Sequence, residues 1–354
     1  MTRAERKLDH IRHALSTGQS RKTWLDDIQF VHQAIPDGCW EDVSLQTQLG
    51  ELTFSSPFFI NAMTGGGGER TITLNAQLAR VAKEMDIPMA VGSQMAAIKN
   101  TSEIESYSIV RKENPKGIIF ANLGSEATVE QANKAVDMLE ANAIQIHLNV
   151  IQELTMPEGD RNFKGALQRI EDIAAKLSVP VIVKETGFGL SREAIHKLKK
   201  LPLSAIDIGG FGGTNFAAIE NERRKRQLSY FNNWGIPTAA SLIEAKMEAP
   251  HSKIIASGGI QNALDIVKCL SLGASAVGLA GIILKTLVEY GEDATFAVIQ
   301  EMIEDITMLM VALGSNTIED LQYAPLILSG ELFHHVTQRG YEPNLYANRK
   351  KIKR

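Results

Sequence analysis

Short, nearly continuous apolar runs recur along the chain, each followed by a glycine-rich or polar loop and then by a stretch of helical spacing. The runs lie at 58–62, 89–92, 118–121, 144–148, 181–184, 205–208, 254–257 and 276–279. Runs of this length bounded by turn signals are the mark of strands covered on both faces, as in a parallel sheet. Apolar residues at helical spacing between them, as at 74–85 and 165–177, predict the crossover helices. Eight such units predict an α/β fold closed into a (β/α)8 TIM barrel rather than an open sheet.

More than fifty residues precede the first run. They open with a predicted helix in which Thr2 and Glu5 form a capping box and Leu8, Ile11 and Leu15 make an apolar stripe. On that helix Arg6, His10 and His13 share another face. No linker or change of composition divides the chain, so residues 1–354 read as one domain. Within it 1–55 form an N-terminal extension, 56–285 the barrel, and 286–354 C-terminal helices with a basic tail.

Composition narrows the function. With 37 basic and 41 acidic residues the formal charge is −4, which gives no overall basic field for nucleic acid or an anionic membrane. The two cysteines, Cys39 and Cys269, exclude a disulfide scaffold or a thiolate metal cluster and suit a reducing compartment. The N-terminus carries charges without a following apolar region, and no run is long enough to span a bilayer, so a cytoplasmic protein is expected. The short basic run Arg223-Arg224-Lys225-Arg226 reads as a solvated face.

In a barrel the loops after the strands build the site. After strand 1 comes Asn61-Ala62-Met63-Thr64 and then four glycines, whose amides can form an anion nest; a plain turn is the competing reading. After strand 6 comes Gly209-Gly210-Phe211-Gly212-Gly213-Thr214. After strands 7 and 8 come Ser257-Gly258-Gly259-Ile260 and Gly278-Leu279-Ala280-Gly281. Glycines after strands 7 and 8 are where barrels often hold a phosphate on backbone amides and a helix N-terminus.

Strand 4, Ile144-Gln145-Ile146-His147-Leu148-Asn149, alternates apolar and polar residues, so His147 and Asn149 face the barrel mouth together, with Gln152 and Glu153 on the following loop. A single carboxylate such as Glu153 suits Mg²⁺, which takes one or two protein oxygens plus substrate phosphate. Lys184 closes strand 5, where an ammonium needs an anion or an electron-rich cofactor; the alternative is an ion pair with Glu185 or Asp207.

These motifs, in this order and spacing from Arg6-Lys7-Leu8-Asp9-His10 to Gly278-Leu279-Ala280-Gly281, resemble the type 2 isopentenyl-diphosphate isomerases over nearly the whole chain. The resemblance implies an FMN-dependent enzyme that interconverts isopentenyl and dimethylallyl diphosphate by an allylic proton shift, with reduced FMN as acid/base cofactor and NADPH as its reductant. By position, Ala62, Met63, Thr64, Ser93 and Asn122 would meet the flavin, and Lys184 would sit by its ring. Thr214, Gly258, Gly259, Ala280 and Gly281 would hold its phosphate. Arg6, Lys7 and His10 would bind the substrate diphosphate with Gln94 nearby, His147, Asn149 and Gln152 would serve the chemistry, and Glu153 would carry Mg²⁺. The chain departs from the pattern at Met95, where some relatives have an arginine that reaches the diphosphate. The resemblance also implies a homo-oligomer.

Two other readings compete. An FMN oxidoreductase of the hydroxy-acid-oxidising type would share the phosphate loops but needs a histidine base with arginines for a carboxylate. A non-catalytic sensor of phosphorylated ligands would carry no flavin.

Overall fold

The computed structural model describes residues 22–350. The predicted N-terminal helix with Arg6, Lys7 and His10, and the end of the basic tail, lie outside them. Eight parallel strands close into a barrel: β1 Phe58–Ile60, β2 Met89–Ala90, β3 Ile119–Gly124, β4 Ala143–Leu148, β5 Val181–Glu185, β6 Ala205–Asp207, β7 Ile254–Ser257 and β8 Ala276–Leu279. They follow chain order around the barrel, and β8 closes on β1 with Val277 opposite Phe58. All eight coincide with the apolar runs of the sequence. The architecture expected from them, a (β/α)8 TIM barrel, is the one observed.

The period of two along each strand sorts side chains into an outer and an inner set. The outer set, such as Phe58, Ile119, Ile144, Val183 and Ile254, packs under the helices in the main core. The inner set is layered. Phe59, Phe120, Ala143, Ile182, Ala205, Ile255 and Ala276 form an apolar floor, all nearly or fully buried. A small hairpin, Thr47–Leu49 with Leu52–Phe54, plugs it from below through Leu49 and Phe54. Phe54, Phe59 and Phe120 stack with centroids 5.5–6.4 Å apart. Each buried phenyl contributes about 2–3 kcal/mol by leaving water.

Two residues further along, six of the strands turn polar on the inside, with Asn61 after β1, Asn122, Gln145, Lys184, Asp207 and Ser257, while glycines stand at the equivalent positions 92 and 278. Register aligns them, with His147 opposite Lys184 and Lys184 opposite Asp207. The floor therefore hands over to a polar layer at the C-terminal mouth.

Crossover helices follow local signals. In Val129–Leu139 a Thr128–Gln131 capping box starts the helix, and Ala132, Ala135 and Leu139 are its buried stripe. The segment expected to be helical from 286 begins earlier, at Gly281, and is broken at Gly291, whose φ of 84° and ψ of −175° no helix can hold. Outside the barrel, Ile28–Phe30 pairs antiparallel with Leu326–Leu328, joining the segment before the barrel to the segment after it.

Candidate active site

A cavity opens at the mouth above the polar layer. Its walls are Asn61, Ala62, Met63, Gly92, Ser93, Asn122, His147, Gln152, Lys184, Thr186 and Gly187, with Gly209, Gly213, Thr214, Ser257, Gly258, Gly259, Gly278, Ala280 and Gly281 from the last three loops. Most of the residues singled out in the sequence thus line one space. Thr64, Gln94, Asn149 and Glu153 do not.

Under the cavity the polar layer is wired together. The Asn61 amide donates to Asp207 Oδ2 at 2.8 Å, and its carbonyl accepts from Gln145 Nε2 at 3.0 Å. Asn122 Nδ2 donates to Gln145 Oε1 at 3.2 Å, and Asn122 Oδ1 meets His147 Nδ1 at 2.8 Å. Ser257 Oγ and the Gly209 N–H donate to Asp207 Oδ1, and the Lys184 ammonium stands 3.7 Å from Oδ2. Such bonds are what make these buried polar groups tolerable. Gly278 has no side chain where the Asn61 amide lies: a Cβ there would be 2.3 Å from Asn61 Nδ2.

Lys184 is 9% exposed, and its Nζ also donates to the Glu185 carbonyl at 2.7 Å. The ion pair with Asp207 that the sequence left open is therefore present, alongside a wall position in the cavity. Glu185 itself turns away. Its Oε2 accepts from the backbone N–H groups of Gly187, Phe188 and Gly189, which shapes the loop carrying Thr186 and Gly187. Burial pushes its carboxyl up to about 8, against those three donors and Lys184, which favour the charge.

At the other end of the cavity three glycine loops converge. Gly258 and Gly259 have φ of 106° and 73°, and a Cβ on Gly258 would fall 2.0 Å from the Gly210 carbonyl oxygen, so only glycine lets the loops after β6 and β7 press together. The helix from Gly281 starts at Ala280 without a side-chain cap, leaving its first amides directed at the same place. No carboxylate lines the described cavity. Backbone donors, an uncapped helix start and one lysine fit a phosphorylated flat cofactor such as FMN.

The residues outside the cavity have other positions. Thr64 gives its hydroxyl to Asn75 and its carbonyl to the Gly92 N–H. Gln94 is fully buried, with Nε2 on the Ala135 carbonyl and Oε1 on the Asn122 N–H, so it supports Asn122 from behind rather than facing a ligand. Asn149 and Glu153 sit in a neighbouring cleft with Met95, Lys99, Ser125 and Arg169. Gln152 and Glu153, consecutive on the helix Val150–Thr155, thereby face the cavity and the cleft respectively.

Glu153 Oε1 accepts from Asn149 Nδ2 at 2.9 Å, and Oε2 from the Asp160 N–H at 2.7 Å. Among the described residues no group of three His, Cys, Asp or Glu side chains gathers to hold a metal. A carboxylate with spare lone pairs, in a cleft that Glu126, Glu158 and Asp160 also line, fits a cation that a ligand's phosphates complete. Met95, buried at 3% exposure, offers that cleft no donor.

Some expectations are corrected. The basic run is not a free solvated face: Arg223 pairs with Glu220 and Glu158, and Arg224 donates to the Thr155 carbonyl, tying the helix bearing Gln152 and Glu153 to Phe216–Glu222. The alternation read on strand 4 continues around the barrel; the part of the polar layer supplied by Asn61, Asp207 and Ser257 is hidden because three- and four-residue strands show the period only when compared with one another. As expected, neither cysteine is an activated thiol. Cys269 is buried, which drives its thiol upward, and the exposed Cys39 bonds to the Glu41 carboxylate, which does the same.

Known proteins resemble this chain in sequence and in fold. Residues 110–327 match the family model described as FMN-dependent dehydrogenase. Among solved structures, a mandelate oxidase variant superposes with a TM-score of 0.67 at 17% identity, covering 92% of this chain and 96% of that one. A flavocytochrome b2 variant gives 0.67 at 17%, covering 98% and 89%. At such identity they establish the fold alone. In sequence, the isopentenyl-diphosphate delta-isomerase of Bacillus licheniformis is 57% identical over 99% of this chain and 100% of its own length, that of Bacillus cereus 59% over the same shares, and that of a Geobacillus species 54%. With that identity along the full length, and with a flavin-type barrel beneath it, the chain belongs to the FMN-dependent, type 2 isopentenyl-diphosphate delta-isomerase family.

Proposed function

We propose that this chain interconverts isopentenyl diphosphate and dimethylallyl diphosphate by moving a proton across the allyl unit. The observation that carries the reading is the cavity itself: a site for a phosphorylated flat cofactor, beside a helix that presents an amide to the cavity and a carboxylate to the next cleft. The reaction has no net redox change. It needs an acid and a base against an apolar carbon chain, and side chains seldom protonate an unactivated alkene at neutral pH. Bound reduced FMN would supply that acid/base chemistry, with NADPH as the reductant that brings it to this state.

The chain's own residues position and enclose. Thr214, Gly258, Gly259, Ala280 and Gly281 would hold the FMN phosphate, Ala62, Met63, Ser93 and Asn122 would flank its ring, and Lys184 would supply positive charge beside it. Thr64 would contribute through its backbone. Glu153 would hold Mg²⁺ against the diphosphate, with Asn149 fixing the carboxylate's rotamer through its bond to Oε1. Arg6, Lys7 and His10 are assigned to the diphosphate as well, from the sequence. Gln152 and His147 would face the carbon chain from the wall of the cavity. Substrate is the small-molecule partner; a homo-oligomer in the cytoplasm is the expected setting, and no described helix is long and apolar enough to cross a membrane.

The hydroxy-acid-oxidase reading has the fold neighbours on its side but not the site. No arginine lines the described cavity, and its histidine sits on β4 rather than on a late loop. Purified protein should show flavin absorption bands that NADPH bleaches under anaerobic conditions, and should leave that bleached spectrum unchanged on conversion of isopentenyl diphosphate. A colourless protein, or bleaching by a 2-hydroxy acid instead, would overturn the proposal.

A further inference from the structure

The buried amide chain beneath the cavity has a direction, and one end of it sets that direction. Asp207 is fully buried, and its partners are all donors: the Gly209 N–H, the Ser257 hydroxyl, the Asn61 amide and the Lys184 ammonium. A backbone N–H and an ammonium cannot reverse their role, so the side chain at this position serves as acceptor only. Asn61 must then turn its NH₂ toward Asp207 and its carbonyl away. The same orientation is pinned a second time, because Asn61 Oδ1 also accepts the Ala62 N–H at 2.8 Å.

Each further link follows from the last. An Asn61 carbonyl facing Gln145 requires the Gln145 NH₂, at 3.0 Å. The Gln145 carbonyl then faces Asn122 and requires its NH₂, at 3.2 Å. That leaves the Asn122 carbonyl toward His147 Nδ1, at 2.8 Å. A carbonyl can only accept, so Nδ1 carries a proton. In neutral His147 the lone pair is then on Nε2.

We propose that Asp207, four hydrogen bonds away, is a positioning residue that fixes the tautomer of His147, so that the imidazole meets the cavity with Nε2 as an acceptor. The relay does not depend on which substrate the cavity takes. Its consequence for a ligand is chemical: neutral His147 can accept at Nε2 but not donate there, and faces an anionic oxygen favourably only once doubly protonated. A buried hydrogen bond of the right polarity is worth roughly tenfold in population, and reversing the chain would set at least two donors or two acceptors face to face.

The test is imidazole nitrogen NMR on ¹⁵N-labelled, flavin-loaded protein at about pH 8, where an ordinary histidine is neutral, with the His147 signals assigned from H147Q. The wild type should show a protonated Nδ1 and an unprotonated Nε2. In D207N one end of the new amide must donate, so either the Gly209 N–H or the Asn61 amide loses its acceptor, and Asn61 is left held chiefly by the Ala62 N–H. In Q145M the anchor stays and the wire is cut. Q145M should raise the Nε2–H tautomer roughly tenfold, and D207N should raise it by less, because the Ala62 N–H still favours the original direction. A wild type protonated on Nε2, or Q145M keeping the wild-type signals, would overturn the relay, and D207N keeping them would overturn the part given to Asp207. Should D207N fail to fold, Q145M decides alone, since it is uncharged and similar in size. A merely structural role for Asp207 would lower stability without moving the tautomer.

Discussion

Replacing Gly258 by alanine puts the phosphate-end loops to the test. At φ of 106° a side chain sits in left-handed backbone, which costs about 1–2 kcal/mol. The added Cβ would lie 2.0 Å from the Gly210 carbonyl oxygen, where at least 3.0 Å is needed, so the loops after β6 and β7 must part by about 1 Å. Overpacking of that kind costs about 1–3 kcal/mol, for a total of about 2–5 kcal/mol. Parting stretches the Gly210 N–H bond to the Ser257 carbonyl, now 2.7 Å, and the Thr238 hydroxyl bond to the Gly258 carbonyl, now 2.6 Å. It also withdraws backbone donors from the phosphate. A hydrogen bond to a charged group is worth about 1.5–3 kcal/mol, so losing one weakens FMN by about ten- to a hundredfold. Urea unfolding of the apoprotein measures the first effect and quenching of flavin fluorescence the second. An FMN Kd within about twofold of wild type would refute the placement of the phosphate.

Further variants probe other parts of the account. E153Q puts an NH₂ toward either Asn149 Nδ2 or the Asp160 N–H and removes the charge, so activity and its Mg²⁺ dependence should fall together while flavin content stays; equal wild-type activity with and without Mg²⁺ would remove the metal from Glu153. Glu185, raised to about 8 in the fold, gives stability that is complete below the unfolded carboxyl's range near pH 4.5 and is lost as pH rises toward 8. E185Q keeps a carbonyl for the three N–H donors and should flatten that decline in the urea midpoint; an unchanged pH slope would show that Glu185 stays ionised. Glu244, 1% exposed, accepts from His335, Arg339 and the Arg192 N–H, linking Thr238–Glu248 to Gly330–Gln338. E244Q should cost about 2–4 kcal/mol in unfolding free energy, and a change below about 0.5 kcal/mol would count against that clamp.

How far the sequence reveals this molecule follows from strand length. The eight strands are legible because each is an apolar run between turn signals, and the phosphate loops because glycines gather after three of the last strands. His147 is visible because β4, at six residues, is long enough to display its alternation. Asn61, Asp207 and Ser257 are not, since β1, β6 and β7 have only three or four residues, with a single polar residue at the end of β6 and β7 and just past the end of β1. Comparing the strands exposes the rule: Phe59 and Asn61, Phe120 and Asn122, Ala143 and Gln145, Ile182 and Lys184, Ala205 and Asp207, Ile255 and Ser257 each step from floor to polar layer. Gln94 misleads for the opposite reason. Its neighbours in sequence place it by the cavity, but its side chain is consumed by Ala135 and Asn122. Arg223 and Arg224 have partners far along the chain, Glu158 and the Thr155 carbonyl, which no local pattern discloses.

The central claim is an isomerisation that uses a flavin without consuming it. The most direct measurement is a turnover count: reduce the bound FMN once under anaerobic conditions, remove all reductant, add isopentenyl diphosphate with Mg²⁺, and quantify dimethylallyl diphosphate per flavin. The account predicts many products per flavin at an unchanged reduced spectrum. No product, or product that stops at one equivalent as the flavin reoxidises, would contradict it.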